Sequence, residues 1–257
     1  MINSIKIITA LGLIYLVICS LMYFKQRSFL YFPTAETMRE DIKANILLIN
    51  GQRLKVWQIN PGQKNALLYF GGNGEDVAKN IDVYRRLFPG QTINLVNYRG
   101  YGGSEGEPSE SALLSDALAI YDHLQQDYVH ISIVGRSLGS GVAVHIASQR
   151  TVKKLVLITP YDSIEKLAKE KFKWLPVSSL LHDKFDSQSL VDKITAPSLV
   201  LAAENDKVIP NKHTLRLVSG FKPEIINYQM IENTGHNTIE NNPKFYQLVK
   251  QFLQESE

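Results

Sequence analysis

The stretch His130-Ile-Ser-Ile-Val134, Gly135-Arg136-Ser137-Leu138-Gly139, Ser140, Gly141-Val-Ala-Val-His-Ile-Ala147 decides how the whole chain is read. An apolar run, a G-x-S-x-G pentapeptide and a small-residue segment of helical character follow one another without a break. Strand, G-x-S-x-G, helix is the setting of a nucleophile elbow, in which a sharp turn lifts a serine hydroxyl clear of a sheet. Glycines at 135 and 139 let the strand and helix backbones come close, where side chains would collide. A plain Gly/Ser turn has the same composition, so the reading depends on whether the rest of the chain supplies partners for Ser137.

A serine nucleophile needs a base and an acid that orients the base, and α/β-hydrolases carry them in the chain order Ser, Asp or Glu, His. Ser198-Leu-Val-Leu-Ala-Ala203 reads as a buried strand and is followed by the polar loop Glu204-Asn205-Asp206-Lys207. Asp206 stands where the acid is expected. Glu224-Ile-Ile-Asn-Tyr-Gln-Met-Ile231 reads as the next strand, and Thr234-Gly235-His236-Asn237 comes after it. Ser137, Asp206 and His236 thus leave three strands at their carboxyl ends, the edge at which open α/β sheets bind ligands.

Other readings compete. Asp206 could cap the helix expected near Asn211, as loop aspartates often do. Asp162, after the strand Lys154–Thr159, is a rival acid at the same edge, and Glu204 is a weaker one. Of the six histidines, His123 and His145 fall in expected helices, His130 opens a strand, and His182 and His213 fall in polar segments of helical character. Only His236 follows the last strand.

The negative oxygen formed in acyl transfer needs rigid backbone N–H donors. One is expected from Leu138, the residue after the serine. The other is expected from Gly71-Gly72-Asn73-Gly74, after the strand Ala66–Phe70. A phosphate loop is rejected here. The third glycine of G-x-G-x-x-G would fall at Val77, and Glu75 and Asp76 put negative charge where a phosphate would sit.

With these residues in view, the chain resembles the α/β-hydrolase superfamily, in the branch that holds the animal ABHD depalmitoylase-like proteins and many bacterial hydrolases. The resemblance rests on Tyr31-Phe32-Pro33, Tyr69–Asn73, Asn97-Tyr-Arg-Gly-Tyr-Gly-Gly-Ser-Glu-Gly-Glu-Pro-Ser109, Gly135–Gly139, Glu204–Pro210 and Gly235-His236. It implies a hydrolase with Ser137, Asp206 and His236 as its triad and Asn73 and Leu138 as oxyanion N–H donors. It also implies a catalytic domain outside the cytoplasm, in the periplasm of a bacterium. One departure stands out. Gly71 replaces the family's usual histidine, and the added backbone freedom predicts a less rigidly placed loop.

At 257 residues, 44% apolar and 21% charged, the chain reads as one sizeable domain plus an appendage. A net charge of +3 is far short of a nucleic-acid footprint, and a single cysteine, Cys19, leaves no intramolecular disulfide. No cofactor and no metal are expected. The appendage is Ile7–Phe24, an uncharged and largely apolar run at the short end of what spans a bilayer. Ile18 before Cys19 is too bulky for a lipoprotein site, and no small-x-small cleavage site follows. Residues 1–27 are read as a signal anchor or transmembrane helix and 28–257 as the catalytic domain, with 161–197 a short cap insert. Lys6 on one flank against Lys25 and Arg27 on the other leaves orientation by charge nearly tied.

Strands are expected at 45–49 and 54–59, joined by the hairpin signal Asn50-Gly51, and at 66–70, 92–98, 130–135, 154–159, 198–203 and 224–231. Helices are expected at 75–88, 109–126, after the elbow, after each of the last two strands, and from Pro243. This is an α/β-hydrolase fold: a mostly parallel eight-stranded sheet with helices on both faces, a small cap insert and an N-terminal transmembrane anchor.

In the cap, Lys166, Lys169, Lys171 and Lys173 interleave with Phe172 and Trp174, which fits a solvated face or contact with anionic headgroups. Three function classes follow: an esterase or thioesterase on a small-molecule or lipid-like acyl substrate, a peptidase of the same fold, and a non-catalytic binding protein. Epoxide hydrolase and dehalogenase chemistry is excluded, because those enzymes carry Asp at the elbow.

Overall fold

The computed structural model describes residues 2–254. The chain opens with one long helix, α1 (Ile2–Leu30), and an antiparallel hairpin of β1 (Asn45–Ile49) and β2 (Gln52–Ile59). Asn50 and Gly51 turn that hairpin at φ of 50° and 75°, as a type I′ turn requires. Then come β3 (Asn65–Phe70), α2 (Ile81–Leu87), β4 (Thr92–Val96), α3 (Glu110–Leu124), β5 (His130–Arg136) and α4 (Leu138–Ala147). After β6 (Leu155–Ile158), the cap carries α5 (Ile164–Lys171) and α6 (Val177–Leu180). The chain closes with β7 (Ser198–Ala203), α7 (Asn211–Val218), β8 (Ile226–Ile231) and α8 (Pro243–Gln254).

All eight strands form one sheet in the order β1-β2-β4-β3-β5-β6-β7-β8, antiparallel through β2 and β4 and parallel beyond. Alternate residues of the parallel strands feed two cores. Leu68, Phe70, Ile133 and Leu157 face α3 and α4, whereas Leu67, Tyr69, Val134 and Val156 face α2 and α8. Both faces are covered, which is why these strands read as unbroken apolar runs. The chain steps from β3 outward to β4 and then back across to β5. That reversal opens a crevice at the carboxyl ends of β3 and β5, the position at which such sheets bind ligands.

Several elements differ in extent from the sequence reading; β2 starts at Gln52 and β4 stops at Val96, for example. The helix expected at 75–88 begins as a 3-10 turn at Val77–Asn80, because Asp76 caps the Ala78 N–H and Glu75 closes a turn with Gly72. Pro223–Ile225 is also a 3-10 turn; Pro223 has no N–H for a ladder, so β8 starts only at Ile226. His182 is not helical, and it follows α6 with its ring edge-on to Tyr23.

The largest difference is α1. It continues to Leu30, and its second half lies on the cap rather than standing free. Cys19 packs with Leu175 and Val177, and Ile18 and Met22 join Phe172, Leu180 and Leu181 around them. Gln26 ties this contact down with a hydrogen bond to the Leu180 carbonyl (2.9 Å), and its Oε1 accepts from the His182 N–H (2.7 Å). Arg27 pairs with Asp183 at 3.1 Å.

Candidate active site

The elbow begins with strain. Ser137 has φ 49° and ψ −115°, a combination that costs an L-residue about 1–3 kcal/mol. The strand-to-helix turn enforces it: the Ser137 N–H donates to the Ile158 carbonyl (2.9 Å), and α4 starts at the next residue. The flanking glycines answer to space. A Cβ on Gly139 would run into the Phe70 carbonyl oxygen, and one on Gly135 into the Gly139 oxygen and the Ala143 methyl. Only hydrogen fits at either position, so the β5–α4 crossing can close over the end of β3.

The structure brings Ser137, His236 and Asp206 together. The Ser137 Oγ lies 2.9 Å from His236 Nε2, and His236 Nδ1 lies 2.8 Å from Asp206 Oδ2. The Asp206 carboxylate is nearly closed to solvent, and its Oδ1 accepts from the Val208 and Ile209 N–H groups at 2.9 and 2.7 Å. Asp206 therefore folds its own loop rather than capping α7, whose N-cap is Pro210. The two loops are sewn to each other. The Asn205 N–H donates to the Thr234 carbonyl (2.8 Å), and Glu204 Oε2 accepts from the Asn233 N–H (2.8 Å). Glu204, the weaker rival acid, thus holds the histidine loop and makes no bond to His236 among the described residues.

Asp162, the stronger rival, is fully buried but aimed elsewhere. It accepts from His213 Nδ1 (2.7 Å), from Arg216 (2.5 Å) and from the Ser163 N–H (2.7 Å). It fastens the start of the cap to α7. His213, read from sequence as part of a polar segment, is wholly buried at that junction. Its Nε2 lies 3.2 Å from Glu170 without the alignment of a hydrogen bond.

The loop after β3 stands beside the serine: a Cβ on Gly72 would lie 3.5 Å from the Ser137 Cβ. Gly72 to Glu75 form a β-turn closed by Glu75 N–H to Gly72 carbonyl at 3.2 Å, with Gly74 at φ 71° in the position that needs positive φ. Asn73 occupies the outer corner. Neither its N–H nor that of Leu138, at the start of α4, donates to an acceptor among the described residues. Against the backbone freedom of Gly71 stand several hydrogen bonds. Tyr98 donates to the Gly71 carbonyl (2.8 Å), and the Gly72 N–H donates to Glu75 Oε2 (2.6 Å). Glu75 is held in turn by Tyr69, Asn80 and Arg136 at 2.6, 2.7 and 3.0 Å. Burial lifts the Tyr69 hydroxyl well above its ordinary pKa, so it stays a donor to Glu75.

Arg136, the variable residue of the pentapeptide, escaped the sequence reading. It pairs with Glu75 on one side and Glu240 (3.4 Å) on the other. Burial raises the Glu240 carboxyl pKa, and Arg136 opposes that shift. The guanidinium so straps the β3 loop to the loop that carries His236. An acid three residues after a Gly-Gly pair was the available signal for Glu75; nothing local marks Arg136. Among the described residues no group of three or more His, Cys, Asp or Glu is clustered as metal ligands would be.

Comparison with known proteins agrees with this architecture. Residues 65–179 match the family described as alpha/beta hydrolase fold. An uncharacterized protein of Mycobacterium tuberculosis is 30% identical over 91% of this chain and 89% of its own length. Alpha/beta hydrolase domain-containing protein 17C of Xenopus laevis is 28% identical over 76% of this chain and 63% of its own. Among solved structures, an esterase of Pyrococcus furiosus superposes with a TM-score of 0.71 at 16% identity, covering 87% of this chain and 98% of the esterase. The chain belongs to the α/β-hydrolase superfamily, is similar to members of its ABHD branch, and is a hydrolase.

Proposed function

We propose that the protein is a serine hydrolase that cleaves acyl ester or thioester bonds through an acyl-enzyme, with Ser137, His236 and Asp206 as its triad. The observation that carries this reading is the unbroken hydrogen-bonded line from the Ser137 Oγ through the imidazole to a nearly buried carboxylate. Ser137 attacks the acyl carbon while its proton passes to His236 Nε2. The oxygen that gains charge lies against the Asn73 and Leu138 N–H groups, both free for it and the latter at the positive end of α4. His236 then returns the proton to the leaving oxygen or sulfur, and water repeats the sequence to free the acid. Asp206, kept in place by two backbone N–H donors, holds the imidazole in the tautomer that accepts from serine.

Substrate class is tested with p-nitrophenyl esters of graded length beside peptide amides. Each added methylene that reaches apolar cover gains about 0.8 kcal/mol, or about fourfold in kcat/KM, until the chain outgrows the site. Turnover is expected to rise over short and medium esters and then level off, with amides poor throughout. Aminopeptidase substrates outperforming every ester would establish the peptidase reading instead.

Membrane attachment is the second part of the proposal, and it rests on the apolar character of Ser4–Leu30. Docking on the cap refines it. The Tyr15 hydroxyl donates to the Trp174 carbonyl at 3.0 Å, so only the part of α1 before Tyr15 stands clear of the domain. At about 1.5 Å per residue, the segment from Ser4 to Ile14 reaches about 16 Å, half of a hydrocarbon core of about 30 Å. Insertion of that segment draws the cap tip, where Trp174 is 56% exposed, to the lipid interface, and a full span requires the second half of α1 to leave the cap. The cap lysines are less available than their number implies, since Lys169 pairs with Glu165 at 2.6 Å and Lys166 lies 3.6 Å from Asp162. Full-length protein is expected to remain in the membrane fraction through a carbonate wash with its N-terminus intact. A soluble product beginning downstream of the apolar run would instead identify a cleaved signal sequence.

A further inference from the structure

We propose that the Asn73 side chain is a positioning clamp for the oxyanion site, and that the exit turn of α1 forms its other jaw. The inference rests on the serine hydrolase reading above and names what fixes its weakest part, the glycine-rich loop. Asn73 Nδ2 donates to the Leu30 carbonyl (2.5 Å), while its Oδ1 accepts from the Phe32 N–H (2.9 Å) and the Tyr101 hydroxyl (2.8 Å). Tyr101 is itself buried and lies 3.0 Å from the same Phe32 N–H. Both ends of one amide are engaged, and only asparagine offers a donor and an acceptor at that reach.

The need for such a clamp follows from the backbone. Asn73 sits at the outer corner of its β-turn, where the turn leaves the N–H unbonded, with Gly71 and Gly72 before it and Gly74 after it. An oxyanion donor lowers a barrier only if it is aimed before charge develops. Tyr98 and Glu75 fix the peptide groups that precede the corner; the Asn73 side chain fixes the corner itself, against a segment more than 40 residues away. Gly74 rests on that segment too, since a Cβ there would lie 3.5 Å from the Phe32 Cβ. The competing role is structural. A helix leaves its last carbonyls unpaired, and Asn73 could serve merely to satisfy that of Leu30. The two roles differ in what they move.

The test uses the full-length chain in detergent, with Asn73→Ala and the milder Tyr101→Phe, which keeps the buried ring. An acyl trifluoromethyl ketone, whose serine adduct carries the oxyanion, reports on the donors; the matching carboxylic acid reports on ground-state binding. The expected result is a fall in kcat of about 10- to 100-fold for Asn73→Ala, less than loss of a donor outright. KM and acid binding stay within about twofold, and the ketone weakens in step with kcat/KM. Tyr101→Phe shifts the same quantities by a few fold, which keeps the proposal testable if Asn73→Ala does not fold. Wild-type kcat and ketone affinity with a lowered Tm would overturn the clamp and leave only a helix cap. Equal weakening of acid and ketone would overturn it as well, as general loosening. Neither of these results touches the triad; absence of Ser137 labelling in the wild-type protein would instead remove the reading on which the clamp rests.

Discussion

Labelling by a fluorophosphonate probe at a single residue, lost in Ser137→Ala, is the expected result with the largest effect. The Ser137 oxygen attacks phosphorus, fluoride leaves, and the proton passes to His236 Nε2 over the 2.9 Å contact. Alanine keeps the Cβ and the strained backbone but removes the hydroxyl, so the variant should fold normally. In a hydrolase whose three groups act as a unit, removing the nucleophile costs about 10⁶ in kcat, and what remains comes from binding and the oxyanion donors. The measurement is in-gel labelling beside ester turnover and a melting curve. Labelling that survives the substitution would falsify Ser137 as nucleophile, and a melting point that falls by many degrees would show that the hydroxyl served the fold.

Chain order made the three candidate site residues legible, because each follows an apolar run long enough to be a buried strand. Strand placement was legible for the same reason, and Asn50-Gly51 announced its hairpin through the two residue types that tolerate positive φ. What escaped depends on partners distant in sequence. Arg136 meets Glu75 and the His236 carbonyl across 61 and 100 residues, and no local pattern encodes such a strap. The Asn97–Ser109 run stood out by resemblance without a role; in the structure its Tyr98 and Tyr101 hold the loop after β3 at Gly71 and Asn73. That support is also why a glycine at 71 leaves the loop well held. Hydropathy found the apolar stretch of α1 but could not say what covers it. Ile18, Cys19 and Met22 read alike for lipid and for a protein groove, and here they meet the cap. The buried state of His213 was hidden by the polar residues around it: Lys212 faces solvent from the same helix, whereas His213 turns inward to Asp162.

Asp206→Asn and Asp162→Asn are expected to separate chemistry from stability. Asn at 206 can still accept from the Val208 and Ile209 N–H groups, so its loop should hold. Its amide would face His236 Nδ1 as a donor, however, which forces the imidazole into the tautomer that cannot accept the serine proton. That exchange costs about 10⁴ in kcat in the best-studied triad, and a loss of that order is expected here with little change in melting temperature. Asp162 answers to the opposite description. Its carboxylate is closed to solvent and binds His213 and Arg216, a junction between cap and α7 rather than a contact with the reacting groups. Asparagine there removes a charge-assisted bond worth about 1–3 kcal/mol, discounted because Arg216 is 44% exposed. At about 2–4 °C per kcal/mol for a domain of this size, the melting temperature should fall by several degrees. Turnover of the folded variant should stay within about tenfold of wild type. Steady-state kinetics below both melting points, with active sites counted by probe, reads the two effects separately. A larger kcat loss for Asp162→Asn than for Asp206→Asn would move the acid to the loop after β6.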